Sequence, residues 1–419
     1  MPDPANLENF IPFRRAALTR QCADEGRLDG DDTDRFRQLS KLVAALYHHE
    51  FHERFERIAD GFSPFDPDRD TRAVRDLTPE EREEGLAVLV RELEEVLVRA
   101  NYEKVSEADI ERALEAKSLI ALDLSVDFDD FADMLLFRRG AKRRTVEIKK
   151  GLPLLKKSVP FEMTVFDRVV LLLRYKDAEH FRKQGLDPEK LPFVPGRLYL
   201  QLFKDIPRAD LEFLFPNMKA GLNLRQKLFI MIPAVGAGIP VLMKVAFTIG
   251  AVFAALGVFF GLREDPGGRE MAAAVVGLTA LAALGGYLFK QYAKYRSTLT
   301  RFLKGVTEQL FFKNLDSNSG VFRTVIDEAE EEEGKEAVLA YYHLLTGGPA
   351  SSDDLDRRIE SWFEKSFDVK LDFEVDDALD KLERLGLVTT GEGGAHEALP
   401  LPDALRVVDG IWDGLYAFD

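Results

Sequence analysis

Two apolar runs constrain this chain more than any other feature. Val241–Leu262 reads VLMKVAFTIGAVFAALGVFFGL and Met271–Phe289 reads MAAAVVGLTALAALGGYLF, with a short polar, Gly- and Pro-containing link between them. At ~1.5 Å rise per residue, each run would make a helix of roughly 28–33 Å, close to the thickness of a bilayer's hydrocarbon core. Backbone polar groups in lipid have to be satisfied within their own segment, so the pair reads as a transmembrane hairpin. The expectation is an integral membrane protein with most of its mass outside the lipid.

Basic residues give the expected orientation. Lys219, Arg225 and Lys227 precede the first run, and Lys290, Lys294, Arg296, Arg301 and Lys304 follow the second. The positive-inside bias then places both termini in the cytoplasm. Lys244 is the odd residue, since a lysine at mid-bilayer would cost about 2.5–3.5 kcal/mol. One turn inside the interface it can snorkel; the sharper alternative is an ion or headgroup contact in an oligomer. Residues 228–240 are apolar but broken by Pro233, Gly236, Gly238 and Pro240, which suits an interfacial or re-entrant segment. Small residues at four-residue spacing, such as Ala246, Gly250 and Ala254, allow close helix packing, within the hairpin or in a homo-oligomer.

The net charge of −16 argues against a nucleic-acid partner. The single cysteine, Cys22, fits a reducing compartment. The acidic start MPDPANLENF resembles neither a secretory signal nor a transit peptide.

The fold class expected is an α+β membrane protein. Residues 1–135 read as a helical cytoplasmic region. The face Phe36, Leu39, Val43, Leu46, Tyr47, Phe51 and Phe55 repeats at helical spacing, and Thr78-Pro79-Glu80-Glu81 opens a further helix. Residues 136–227 read as a small β-rich module with a short pre-membrane helix. Residues 228–289 hold the interfacial segment and the hairpin (spans 241–262 and 271–289), and 290–346 hold post-membrane helices. Residues 351–419 give helix, helix and a β-wing, a winged-helix-like outline. That last stretch has 7 Lys and Arg against 18 Asp and Glu, a net of −11, so it suits a protein contact rather than phosphate.

No nucleophile pair, P-loop or dinucleotide fingerprint occurs, so no catalytic residue and no cofactor is expected. His48, His49 and His52 are the metal candidates, but their spacing misses the HExxH pattern and a polar helix face is the simpler reading. Asp66, Asp68 and Asp70 start like a calcium loop, yet Thr71 and Leu77 stand where Gly and a bidentate Glu are needed. Asp127, Asp129, Asp130 and Asp133 form an acidic run that a solvated face explains. Arg138, Arg139, Lys142, Arg143 and Arg144 make the β-rich module locally basic, as a solvated strand face or a contact with anionic membrane lipid.

The run Phe203-Lys-Asp-Ile-Pro-Arg-Ala-Asp-Leu-Glu-Phe-Leu-Phe-Pro216 resembles a signature of an uncharacterised membrane family that includes vertebrate transmembrane protein 143, whose core is a domain of unknown function. Val165–Val169, Phe312–Gly320 and Phe373–Ala378 look similar too. The resemblance implies a two-span membrane protein, here of a bacterial inner membrane, and carries over no catalytic residue. Within the run, Phe203, Asp205, Pro207, Asp210, Glu212 and Pro216 are the marked positions. The residues themselves suggest a strand to Lys204, a helix start at Pro207, and Asp210 and Glu212 near a positive dipole end.

Three functional readings follow. The first is a non-enzymatic, membrane-anchored scaffold or regulator whose C-terminal module contacts protein. The second is an oligomeric transport or channel component. The third and weakest is a metal-dependent hydrolase.

Overall fold

The computed structural model describes residues 9–67, 72, 74–106, 110, 122–150, 157–222, 310–391 and 393–416, with scattered positions between 279 and 308. In chain order its elements are helices α1 (Arg15–Asp24), α2 (Gly30–Phe62) and α3 (Pro79–Arg99); strands β1 (Glu103–Lys104), β2 (Leu122–Ser125), β3 (Phe131–Lys150) and β4 (Lys157–Tyr175); and helix α4 (Ala178–Lys183). Strands β5 (Leu198–Pro207), β6 (Lys219–Leu222) and β7 (Asn314–Ser317) follow, then helices α5 (Ser319–Gly347), α6 (Ser352–Phe367) and α7 (Val375–Arg384), strands β8 (Val388–Thr390) and β9 (His396–Ala398), and helix α8 (Leu401–Gly414). They divide between two compact units, one of residues 1–111, 128–214 and 313–419, the other of 112–127 and 215–312. In the second unit, β2 and β6 pair antiparallel, with Leu122 opposite Leu222.

In the first unit, local chemistry sets the helix starts. Asp29 caps α2 by accepting from the Asp32 amide at 2.8 Å. Thr78 and Glu81 form a reciprocal capping box on α3, with Pro79 at its first position. The inward faces repeat every three or four residues: Phe36, Leu39, Val43, Tyr47 and Phe51 on α2, and Leu86, Leu89, Leu93, Val96 and Leu97 on α3. The two helices meet at Gly61 and Gly85, where a Cβ on Gly61 would lie 2.5 Å from the Gly85 carbonyl oxygen. No side chain fits there, so glycine permits the crossing. Helix α5 is the hub. It packs against α1, α2, α3, α6 and α7, and every residue from Glu332 to Leu344 is buried.

The sheet runs β1-β3-β4-β5-β7, all antiparallel. Val169 to Leu173 on β4 are all buried, as expected for a central strand covered on both faces. One face, with Leu135, Phe137, Val170, Leu172, Leu200 and Leu202, joins the helical core. On β4's last turn of chain, Tyr175 stacks on Phe193 with ring centroids 3.6 Å apart and lies edge-on to Tyr199. The ladder passes over Gly140 between β3 and β4, Asp167 on β4 and Asp205 on β5, which line up across three strands. Gly140 has φ +65° and Asp205 φ +52°, and a Cβ on Gly140 would lie 2.7 Å from an Asp167 carboxylate oxygen. Past Arg208–Leu214, a 3-10 helix, the chain enters the second unit.

Beyond α5, Ser351 caps α6, Asp368 ends it in the left-handed region, and α7 leads to the β8–β9 hairpin. Ala350 pairs with His396 beside that hairpin.

The fold is mixed helix and sheet, and it corrects the expectation of a transmembrane protein. Among the described residues, no helix is long and apolar enough to cross a membrane. Helices α2 and α5, at 33 and 29 residues, have the length, but each carries charge along it, from Asp31 to Asp60 in one and Asp327 to Glu336 in the other. The transmembrane hairpin and the placing as an integral inner-membrane protein with both termini cytoplasmic are therefore not supported. Span 241–262, with Lys244, and segment 228–240 lie outside the described residues, as does most of 271–289. The region 1–135 is also not wholly helical, since it contains β1, β2 and the start of β3.

Candidate functional site

A helix turns about 100° per residue, so adjacent charged residues leave it on different faces. On α5 the sequence Glu331-Glu332-Glu333-Gly334-Lys335-Glu336 therefore sends charge in several directions at once. Glu332, Glu333, Lys335 and Glu336 are all buried, and each meets a partner from a distant part of the chain.

Glu332 and Lys335, one turn apart, hold both backbone groups of a single residue of the N-terminal segment. The Ile11 amide donates to Glu332 at 2.6 Å, Lys335 donates to the Ile11 carbonyl at 2.7 Å, and the two side chains pair at 2.5 Å. Glu333 accepts two hydrogen bonds of 2.9 Å from the Arg99 guanidinium. Arg99 also donates to Glu50 at 2.6 Å and lies 4.4 Å over the Phe51 ring. From α7, the buried Lys381 pairs with Glu336, with Glu333 at 3.2 Å and with Asp377 at 2.6 Å. Asn101, at φ +58° just past α3, donates to Glu336 at 3.1 Å. Removing one partner of such a buried pair costs about 3–5 kcal/mol, because the other charge is stranded in low dielectric.

The protonation states follow from one shortage: Lys381 is shared among several carboxylates. Burial works against its charge, but Glu336, Glu333 and Asp377 outweigh that and hold the ammonium above the usual lysine range. Burial pushes Glu336 up to about 7, and the pull of Lys381 against the push of Glu332 and Glu333 does not bring it back. Glu336 can thus hold or release a proton near neutral pH. Over this junction opens a cleft of about 280 Å³, whose lining includes Glu50, Arg54, Arg99, Lys381, Asp380 and Arg384. Among the described residues neither Asp380 nor Arg384 forms an ion pair, and the buried Tyr47 hydroxyl has no hydrogen-bond partner. Burial raises the Tyr47 phenol far above its ordinary range, and Glu333 adds to this.

The residues singled out from sequence lie elsewhere. His48 meets Glu330 at 3.0 Å, His49 packs on Tyr416 with centroids 5.2 Å apart, and the His52 ring lies parallel to Phe55. They are not brought together, and among the described residues no group of three or more His, Cys, Asp or Glu could hold a metal ion. Asp129 pairs with Lys176 at 2.7 Å and Asp133 with Arg174 at 2.5 Å, while Asp130 is buried. Asp68 and Asp70 lie outside the described residues. Cys22 is buried, and burial pushes its thiol well above the ordinary range, which makes it unreactive.

The basic set divides. Arg138 pairs with Glu103 and lies over Phe166. Arg139 is buried, 2.8 Å from Glu328 and 4.9 Å from the Tyr102 ring centre, so it belongs to the interior. Lys142 meets Asp167 at 2.9 Å, Arg144 meets Asp205 at 3.2 Å, and Arg143 is exposed. In the Phe203–Pro216 run, Phe203 is buried on β5, Asp205 sits at the strand irregularity, and Pro207 ends the strand rather than starting a helix. Asp210 and Glu212 fall in the 3-10 helix and Pro216 in the turn after it.

The ionic network was missed at the sequence level, where 290–346 reads only as post-membrane helices. The one local signal was the apolar run Ala337–Leu345, which continues the same helix without a break and implies a buried neighbourhood.

A domain of unknown function is found at residues 166–320, which match the family described as Protein of unknown function (DUF3754). The match runs from β4 to the first residues of α5 and excludes Arg99, Glu333, Glu336 and Lys381. No solved structure matches the chain at a significant level.

Proposed function

We propose that this chain is a non-enzymatic scaffold or regulatory protein whose C-terminal module, residues 351–419, contacts a basic protein partner through an acidic face. The observation that carries this reading is the electrostatic state of α6 and the loop after it. Burial and the neighbouring Glu360, Asp372, Asp353 and Asp376 push the Asp356 carboxyl up to about 6. Burial and nearby carboxylates also raise Glu360 and Glu374. Within the module, 18 acidic residues face 7 basic ones, so this repulsion is not relieved locally. A cationic surface would relieve it, whereas a nucleic-acid phosphate would add to it.

Kinship to the uncharacterised family that includes vertebrate transmembrane protein 143 is part of the same proposal. Its support is that Phe203–Pro216 and Phe312–Gly320 both fall inside the matched stretch. It carries no activity.

The test is affinity purification of the full chain from its native cells, beside the triple variant Asp356→Asn, Glu360→Gln, Asp372→Asn. A basic protein recovered with the wild type and lost from the correctly folded variant is the expected result. Equal recovery by both would contradict the proposal.

A further inference from the structure

Helices α2, α3, α5 and α7 all supply walls to the cleft over the Lys381 junction. Its eight lining residues are all charged, four acidic and four basic. Ligand pockets usually offer apolar walls. This one offers none, so whatever enters must meet charge with charge. Because the signs balance, the cleft has no net field to gather a bare anion or a bare cation.

Most of these charges already have partners. Arg99, Glu333 and Lys381 complete one another in the floor. Arg54 donates to Glu92 at 3.0 Å and to Glu95 at 2.5 Å. Burial works against the Glu50 charge, but Arg99 outweighs it and holds that carboxyl below its usual range. Two charges are left over, both on α7. Among the described residues neither Asp380 nor Arg384 has a hydrogen bond or an ion pair. They stand one turn apart, at a spacing that lets two side chains pair, yet they do not pair with each other. Close by are two buried donors without an acceptor, Arg54 Nε and the Tyr47 hydroxyl. Beside burial, the charges that act on the Tyr47 phenol include Glu333, Lys381, Arg384 and Arg99, all lining residues, so its hydroxyl lies behind the cleft wall.

We propose that the cleft binds a small zwitterion of the amino-acid class. Its carboxylate pairs with Arg384, whose planar fork takes a carboxylate through two parallel hydrogen bonds. Its ammonium pairs with Asp380, and Glu50 on α2 is a second carboxylate in the same cleft. Side chains at this spacing leave their helix about 5–6 Å apart, which suits a ligand whose two charged ends hang from one carbon. The volume of about 280 Å³ has room for a small polar amino acid, and no apolar wall rewards a large hydrocarbon side chain. The bound ligand ties α7 to α2 beside the Lys381 junction. This inference does not depend on the acidic face around Asp356 being a contact surface.

Isothermal titration calorimetry of the full chain tests it. The probes are each common amino acid in turn, with acetate and methylammonium as the two half-ligands. Two variants, Arg384→Gln and Asp380→Asn, remove the leftover charges one at a time; neither side chain holds anything in the fold, so the thermal midpoint should stay at its wild-type value. The expected result is one-to-one binding of at least one small polar amino acid, with neither half-ligand bound at the same concentration. Each variant should weaken that binding at least about tenfold, a loss of about 1.4 kcal/mol. Arg384→Lys, which keeps the charge without the fork, should fall between Arg384→Gln and the wild type. Absence of binding by every amino acid would overturn the inference. Acetate bound as tightly as the amino acids would also overturn it, by showing a simple anion site. Affinity unchanged in both variants would do the same, by placing the ligand elsewhere.

Discussion

Glu336 sits where burial and pairing nearly cancel, so its proton is the most sensitive reporter of the α5 network. Its folded carboxyl lies at about 7, above the ordinary 4.5 of an exposed glutamate. Between those values the folded chain keeps a proton that the unfolded chain has released. The stability contribution is therefore fully present below pH about 4.5 and is lost as pH rises through about 7, a change of about 3 kcal/mol. Glu336→Gln should remove this slope. Denaturant unfolding from pH 5 to 8 checks it: the wild type should lose stability relative to the variant as pH rises, and parallel curves would refute the assignment. His343 works in the opposite sense. It is buried on α5 with neither ring nitrogen hydrogen-bonded, and burial, helped by Arg27 and Arg358, pushes it down to about 3. The unfolded chain takes up that proton first as pH falls below 6.5, so stability drops on acidification. His343→Leu should raise stability at neutral pH by about 1 kcal/mol, because an unsatisfied buried group is removed, and should flatten the acid limb. A thermal midpoint that falls in the variant would show that the imidazole has a partner after all.

At the scale of elements, legibility followed locality. The apolar face of α2 and the start of α3 at Thr78-Pro79-Glu80-Glu81 are patterns contained within a few residues, and both were read from the sequence alone; that Thr78 and Glu81 cap each other's amides was not. A β-rich module within 136–227 was visible from its strand-forming composition. That it holds strands of 20 and 19 residues was not, because Arg138, Arg139 and Lys142–Arg144 interrupt the apolar pattern with charges that default to solvent. Arg139 breaks that default because two rings and Glu328 surround it. The α5 network was illegible for the same reason on a larger scale. Glu333 meets Arg99 across 234 positions and Ile11 meets Lys335 across 324, and no spacing rule spans such distances. The histidines of α2 are neighbours in sequence, yet adjacent faces of one helix carry them to Glu330, Tyr416 and Phe55.

For the molecule as a whole, the network explains how a strongly acidic C-terminal module stays joined to an acidic body. Lys381 is buried on α7 and reaches both Glu333 and Glu336, so one side chain ties that module to the helix on which α1, α2 and α3 also pack. The account's central claim is that this junction holds the acidic face in a fixed setting against the rest of its unit. Hydrogen-exchange mass spectrometry of the full chain, wild type beside Lys381→Ala, tests it most directly. Loss of Lys381 leaves Glu333 and Glu336 with less compensation and should cost about 3–5 kcal/mol. Protection is expected to fall together across α5, α6, α7 and α8, as one cooperative opening. Faster exchange confined to α7, with α5 and α6 unchanged, would contradict the claim and leave Lys381 as a local contact.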